Sequence, residues 1–218
     1  MLHVWMLSTL LVIGTQELPK GQFPDGWTVR VDDADGHPGQ GAAPASSPST
    51  RDISFVIMKP GWHITTGPSA ILYQPAQKAS GTYTLKSEIF LFDPGDRLEA
   101  FGVLLGGRNL DGSDQAYTYF VIRRTGEFLV RRRTGATTVN VKEWTSHPAI
   151  KKYEDRAAGK ASVLNVLEVK VATDTTAFVV NGTAVARVAT KDIDTDGIVG
   201  LRVNHQLNLH VSALDVVK

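Results

Sequence analysis

From residue 61 onward apolar and polar residues alternate in short runs separated by turn formers, the period-two pattern of half-buried β-strands. The runs fall at 70–73, 83–92, 101–105, 117–123, 127–133, 166–172, 177–180, 183–188, 198–204 and 207–216, after two earlier ones at 27–31 and 53–58. No stretch sustains an i, i+3, i+4, i+7 pattern beyond about two turns, and 149–158 is the best helical candidate. Strand after strand with turn signals between them predicts an all-β fold of two antiparallel sheets packed face to face.

The turns predict registers. Asn181-Gly182 suits a type I′ turn, because both central residues need positive φ, and pairs Val180 with Thr183 and Phe178 with Val185. A two-residue turn at Thr125-Gly126 pairs Ile122 with Leu129 and sets Arg132 opposite Tyr119 and Arg131 opposite Phe120. Each guanidinium then stacks on a ring. A hairpin over 196–216 with a three-residue loop keeps its faces pure. Val199, Leu201, Val203, Leu209 and Val211 turn inward, while Arg202, Asn204, Asn208 and His210 gather opposite. Such a patch reads either as a solvated face or as the floor of a carbohydrate groove.

Residues 34–50, ADGHPGQGAAPASSPST, have no hydrophobic period and form a surface loop within one domain spanning 16–218. The run at 4–14, VWMLSTLLVIG, carries no charge over eleven residues and reads as the h-region of a signal peptide within residues 1–15. It implies a secreted or periplasmic protein; a first strand at this place would instead imply a cytoplasmic one. No other segment is long and apolar enough to span a membrane.

Composition narrows the chemistry. With 23 Lys and Arg against 22 Asp and Glu among 218 residues, no global field attracts nucleic acid. The absence of Cys excludes disulfides, thiolate metal sites and a Cys nucleophile. Asp192, Asp194 and Asp196, followed by Gly197, have the spacing of a calcium loop, yet Val203 stands where a bidentate Glu is needed. These three are weak metal candidates, and no cofactor is otherwise expected. Five arginines, Arg123, Arg124, Arg131, Arg132 and Arg133, crowd one hairpin, with Arg124 and Arg133 read as strand-covering side chains. Trp62-His63, and Trp144 with His147, place rings in apparent loops, where indole faces can stack on sugars. Trp27 reads as core. No paired-carboxylate glycosidase motif, nucleophile elbow or phosphate loop occurs, and His63, His147, His205 and His210 are scattered.

Gly61-Trp62-His63-Ile64-Thr65 through Gly67-Pro68 and Ile71-Leu72-Tyr73, then Gly106-Gly107 with Asn109-Leu110-Asp111 and Tyr117-Thr118-Tyr119-Phe120, resembles bacterial exported proteins with a concanavalin A-like or laminin G-like jelly roll. Trp144, Asn181-Gly182 and the run from Asp196-Gly197-Ile198 to Asn204-His205 continue the likeness over most of 55–217. The sequence is similar to the 3-keto-disaccharide hydrolase domain family. That resemblance implies a jelly-roll sandwich and a sugar-related role. In that family a Leu-Phe-Asn-Gly-Lys-like run precedes Gly-Trp, which is reduced here to Gln22-Phe23-Pro24-Asp25-Gly26-Trp27.

The expectation is an exported, lectin-like β-sandwich that binds carbohydrate without its own catalysis. Its expected ligand residues are His63, Tyr119, Arg123, Arg132, Trp144, His147, Arg202, Asn204, His205 and His210. Two alternatives stand beside it. One is a hydrolase of 3-keto-glycosides with a His as acid and base; the other is a structural or adhesive domain.

Overall fold

The computed structural model describes residues 20–32 and 49–218. The expected signal peptide lies outside them, as does the expected surface loop except for Ser49 and Thr50, where Ser49 caps a single 3-10 turn at Thr50–Asp52. In chain order the strands are β1 Thr28–Val31, β2 Ser54–Ile57, β3 Trp62–Thr65, β4 Ala70–Ala79, β5 Tyr83–Phe92, β6 Ala100–Arg108 and β7 Ala116–Arg123. They continue with β8 Glu127–Thr134, β9 Thr137–Ser146, β10 Ser162–Val171, β11 Thr175–Val180, β12 Thr183–Ala189, β13 Gly197–Val203 and β14 Asn208–Val217.

Two seven-stranded antiparallel sheets result, ordered β1-β4-β13-β6-β7-β8-β9 and β12-β11-β10-β5-β14-β3-β2. Strict alternation in β5, with Tyr83, Leu85, Ile89 and Leu91 buried and Lys86, Glu88 and Phe90 half-buried, turns one face of the second sheet inward. From the first sheet Phe101, Val103, Phe120, Ile122 and Leu201 meet it. Fully burying a side chain of this size stabilises by about 1.5–3 kcal/mol. Trp27 belongs to this core, edge-on to Phe55 and Trp62 at centroid distances of 5.1 and 4.9 Å.

The fold corrects several sequence expectations. Residues 149–158 form only a 3-10 turn at Tyr153–Asp155. Trp62, His63 and Trp144 lie in strands and not in loops. The Asn181-Gly182 turn has both φ angles positive, at 50° and 81°, and Val180 does pair with Thr183. A bulge beyond Val179 then sets Phe178 opposite Ala186 instead of Val185.

The arginine hairpin turns on three residues, not two. The Gly126 N–H donates to Arg123 O at 3.1 Å, Gly126 takes φ 84°, and Arg123 pairs with Glu127. That one-residue slip exchanges the faces of β8. Arg131 now opposes Tyr119, Arg133 opposes Tyr117, and Arg132 moves to the other face, opposite Thr118.

Strands β13 and β14 form no hairpin, because they belong to different sheets. Arg202 pairs with Ile71 and Gly102 in the first sheet, whereas His210 pairs with His63 and Phe90 in the second. The expected patch of Arg202, Asn204, Asn208 and His210 is therefore divided between opposite sides of the molecule.

Candidate functional site on the concave sheet face

A second apolar cluster covers the side of the first sheet that faces away from the core. It contains Ile71 and Tyr73 from β4, Leu104 from β6, Tyr117, Tyr119 and Val121 from β7, Leu129 from β8, and Leu110 from the loop after β6. Alternation along each strand sends these residues outward while their neighbours enter the core.

A buried charge cluster shows the curvature of this face. Asp32 follows β1 and stays in the ladder, its N–H donating to Ser69 O at 2.8 Å. Its carboxylate accepts from Arg202 Nη1 at 2.5 Å, from Tyr117 Oη at 2.9 Å and from Arg133 Nη1 at 2.6 Å. Five inter-strand steps separate β1 from β8, about 24 Å on a flat sheet. That exceeds the combined reach of an aspartate and an arginine, so the sheet curls and this face is concave.

All four side chains are buried: Asp32 is 3% exposed, Arg133 2%, Arg202 1% and Tyr117 0%. Burial pushes the Asp32 carboxyl up, but Arg202, Arg133 and the Tyr117 hydroxyl outweigh it and hold it below its ordinary value. Burial raises the Tyr117 phenol, and the adjacent carboxylate adds to that rise. The carboxylate and the hydroxyl are thus held as acceptor and donor at neutral pH.

Toward the β7–β8 turn the face opens. The Arg123 guanidinium lies 4.3 Å from the centroid of the half-buried Trp144 ring. Its Nε and Nη2 donate to Glu127 at 2.7 and 2.6 Å, and Thr125 Oγ1 donates to the same carboxylate at 2.6 Å. The hydrogen bonds from Arg123, and then from Thr125, hold Glu127 below its ordinary pKa. Beside them Arg131 Nε donates to Asn140 Oδ1 at 2.6 Å, and Asn140 Nδ2 donates to Glu143 at 2.6 Å. An indole with fixed polar forks beside it can stack on a ring and bond its hydroxyls.

Of the expected ligand residues, this face gathers Tyr119, Arg123, Trp144 and Arg202. Tyr119 is 4% exposed, its ring 5.7 Å from Tyr117. His147 serves the adjoining turn, accepting from the Ala149 N–H through Nδ1 at 3.2 Å. Asn204 and His205 follow β13 at the end of the sheet, where the Asn204 carbonyl accepts from Thr66 Oγ1 at 2.7 Å. Ser69 Oγ lies 3.0 Å from His205 Nδ1, and Glu99 lies 3.6 Å from that same nitrogen. Ser69 Oγ also lies 3.3 Å from the opposite ring nitrogen, Nε2.

Three expectations are displaced. Arg132 donates through Nε to Asp194 at 2.8 Å, away from the concave floor. His63 and His210 lie on the outer face of the second sheet, ring centroids 6.2 Å apart, with Phe92 5.2 Å from His63 and Phe90 5.8 Å from His210. The three aspartates do not converge: Asp194 is bound by Arg108 and Arg132, and Asp196 accepts from the Gly81 N–H at 3.1 Å. Among the described residues no three His, Asp or Glu side chains form a group able to hold a metal ion.

Sequence reasoning missed Asp32, Tyr117 and Arg133. The alternation of Tyr117 and Tyr119 with core residues was a usable signal for an outward aromatic row. Nothing local marks Asp32, whose partners are 85, 101 and 170 residues away.

This arrangement of two sheets recurs in solved structures. The carbohydrate binding module CBM66 from Bacillus subtilis shares 11% identity over 88% of this chain and 96% of its own, with a TM-score of 0.58. A β-glucanase from Bacillus licheniformis shares 11% over 95% and 99%, also at 0.58. The endo-β-1,3-glucanase from Pyrococcus furiosus shares 14% over 94% and 90%, at 0.56. The fold is a jelly-roll sandwich of two antiparallel sheets. At these identities the likeness concerns the fold alone. No family model and no curated protein matches the sequence.

Proposed function

We propose that this jelly roll is an exported, lectin-like protein that binds carbohydrate on the concave face of its first sheet, without catalysis of its own. The observation that carries this reading is Trp144 at the open end of that face, with Arg123 stacked on it and Glu127, Arg131 and Asn140 alongside. The indole offers an apolar surface to a sugar ring, and the preset forks offer donors and acceptors to its hydroxyls. Fold neighbours named as a carbohydrate binding module and as glucanases support a sugar ligand. The uncharged run at 4–14 supports export.

Binding without turnover is favoured because Asp32 and Glu127 are both neutralised by arginines. Glycoside cleavage instead needs two available carboxyls about 5–9.5 Å apart. The test is a glycan array followed by calorimetry on the hits and a reducing-sugar assay. Binding that Trp144→Ala weakens, with no sugar released, supports the reading. Turnover, or no glycan bound at all, overturns it.

A further inference from the structure

At the opposite end of the same face a cavity of about 480 Å³ opens between β4 and the loop after β6. This size is within the range of small-ligand sites, about 300–1,000 Å³. Its apolar lining is Tyr73, Pro75, Leu110 and Ile198, and its polar lining includes Lys78, Arg108, Asn109 and Asp111.

The wall is held in place before any ligand arrives. Arg30 Nη1 donates to the carbonyls of Leu110 and Gly112, both at 2.7 Å, and Asn109 Nδ2 donates to Asp114 at 2.7 Å. Gly107 in β6 leaves room for both β13 and the loop: a Cβ there would come to 2.9 Å from Ile198 O and from Leu110 Cδ1. A preset wall spares the ligand an ordering cost.

The two lining cations are underused. Among the described residues Lys78 has no ion-pair partner. The Arg108 side chain is 53% exposed and gives one nitrogen to Asp194, whose other oxygen is taken by Arg132. One carboxylate thus serves two guanidiniums, and the rest of the Arg108 fork stays available for an anion. Asp111 provides an acceptor for hydroxyls. An apolar wall, a hydroxyl acceptor and two cations in one cavity match a ring that is apolar on one face and carries hydroxyls and a negative group on its edge.

We infer that this cavity is a subsite for an acidic sugar residue, its anionic group held by Lys78 and Arg108 and its ring seated against Tyr73 and Leu110. The inference rests on the carbohydrate-binding reading and adds the chemical class of the ligand. A carboxylate or a sulfate ester supplies such an anionic group.

The test is calorimetry of the full chain with oligogalacturonate, with a sulfated galactan oligosaccharide and with neutral laminari-oligosaccharides. Lys78→Gln, Arg108→Gln and Trp144→Ala are compared with the parent, each checked by thermal melting. At least one acidic ligand should bind, weakening tenfold or more in Lys78→Gln and falling steeply with added salt, while any neutral ligand keeps its affinity. Arg108→Gln also removes an Asp194 contact, so Lys78→Gln carries the test if that variant does not fold. The ligand that responds tells carboxylate from sulfate. Acidic binding indifferent to Lys78→Gln overturns the subsite. So does binding confined to neutral sugars and lost in Trp144→Ala, which leaves the wider reading standing. No binding to any of the three, nor to the glycan array, removes both.

Discussion

Arg123 lies over Trp144 at 4.3 Å while Glu127 holds both ends of its fork. The arginine covers one face of the indole, and the half-buried ring also packs against the second apolar cluster. Arg123 is also locked, since moving it would break two charge-assisted hydrogen bonds and a cation–π contact together. Trp144 is therefore a fixed platform, braced from behind.

That bracing separates the effects of two substitutions. Trp144→Ala removes the platform and should weaken sugar binding about tenfold or more, roughly 1.4 kcal/mol or above. Arg123→Ala leaves the indole in place but frees it to turn, so binding should weaken less. Calorimetry on both variants checks the order, and equal losses would mean that Arg123 itself contacts the ligand.

The two arginines exchanged by the hairpin register provide a stability test. Arg133 is buried against Asp32, so Arg133→Ala removes one of the two guanidiniums on a carboxylate that Arg202 and Tyr117 still hold, and should cost about 1–3 kcal/mol. The Arg132 side chain is 45% exposed against Asp194, and its removal should cost about 0–1 kcal/mol. Urea unfolding of the two variants measures the difference. The two-residue turn predicts the reverse order.

What the sequence made legible follows from what alternation encodes. Strand β5 was readable to its last residue because every second side chain enters the core. Strand β9 left no pattern: it is an edge strand largely exposed on both faces. The inward residues of β13 and β14 were also correct, since Val199, Leu201, Val203, Leu209 and Val211 are all buried. Alternation cannot tell a hairpin within one sheet from an arch that joins two, because both bury the same residues. Only the polar sides differ, and those decide the site. Arg123 was legible as a fork of the arginine hairpin and Trp144 as an aromatic beside His147, but their contact was not. Asp32 was not, because its role exists only once the sheet has curled.

Asp32 predicts the acid limb of stability. Its carboxyl is held below the ordinary value because the two arginines and Tyr117 outweigh burial. A group with a lowered folded pKa stabilises fully above its unfolded value of about 3.9, and the contribution disappears as pH falls through the lower folded value. Unfolding free energies measured from pH 6 downward should therefore fall more steeply in the parent than in Asp32→Asn. Asp32→Asn should also be less stable at pH 7, with the gap closing in acid. Parallel curves would mean that Asp32 is not ionised in the fold.

His210 predicts a slope of the same sign at a higher pH. Burial, and then the neighbouring His63, push its imidazole below the ordinary value, against the opposing effect of the Pro60 carbonyl. The neutral ring is the form the fold accepts, packed beside Phe90. Below the unfolded value of about 6.5 the unfolded chain binds a proton that the folded chain resists, so stability falls as pH drops through that point. Melting temperatures between pH 8 and pH 5 should decline in the parent and stay flatter in His210→Phe, which keeps a ring in place and removes the titration. The proposed sugar site lies on the other sheet, so this substitution should leave glycan affinity at pH 7 unchanged. A loss of affinity in His210→Phe would move the binding face from the concave sheet to the outer face of the second.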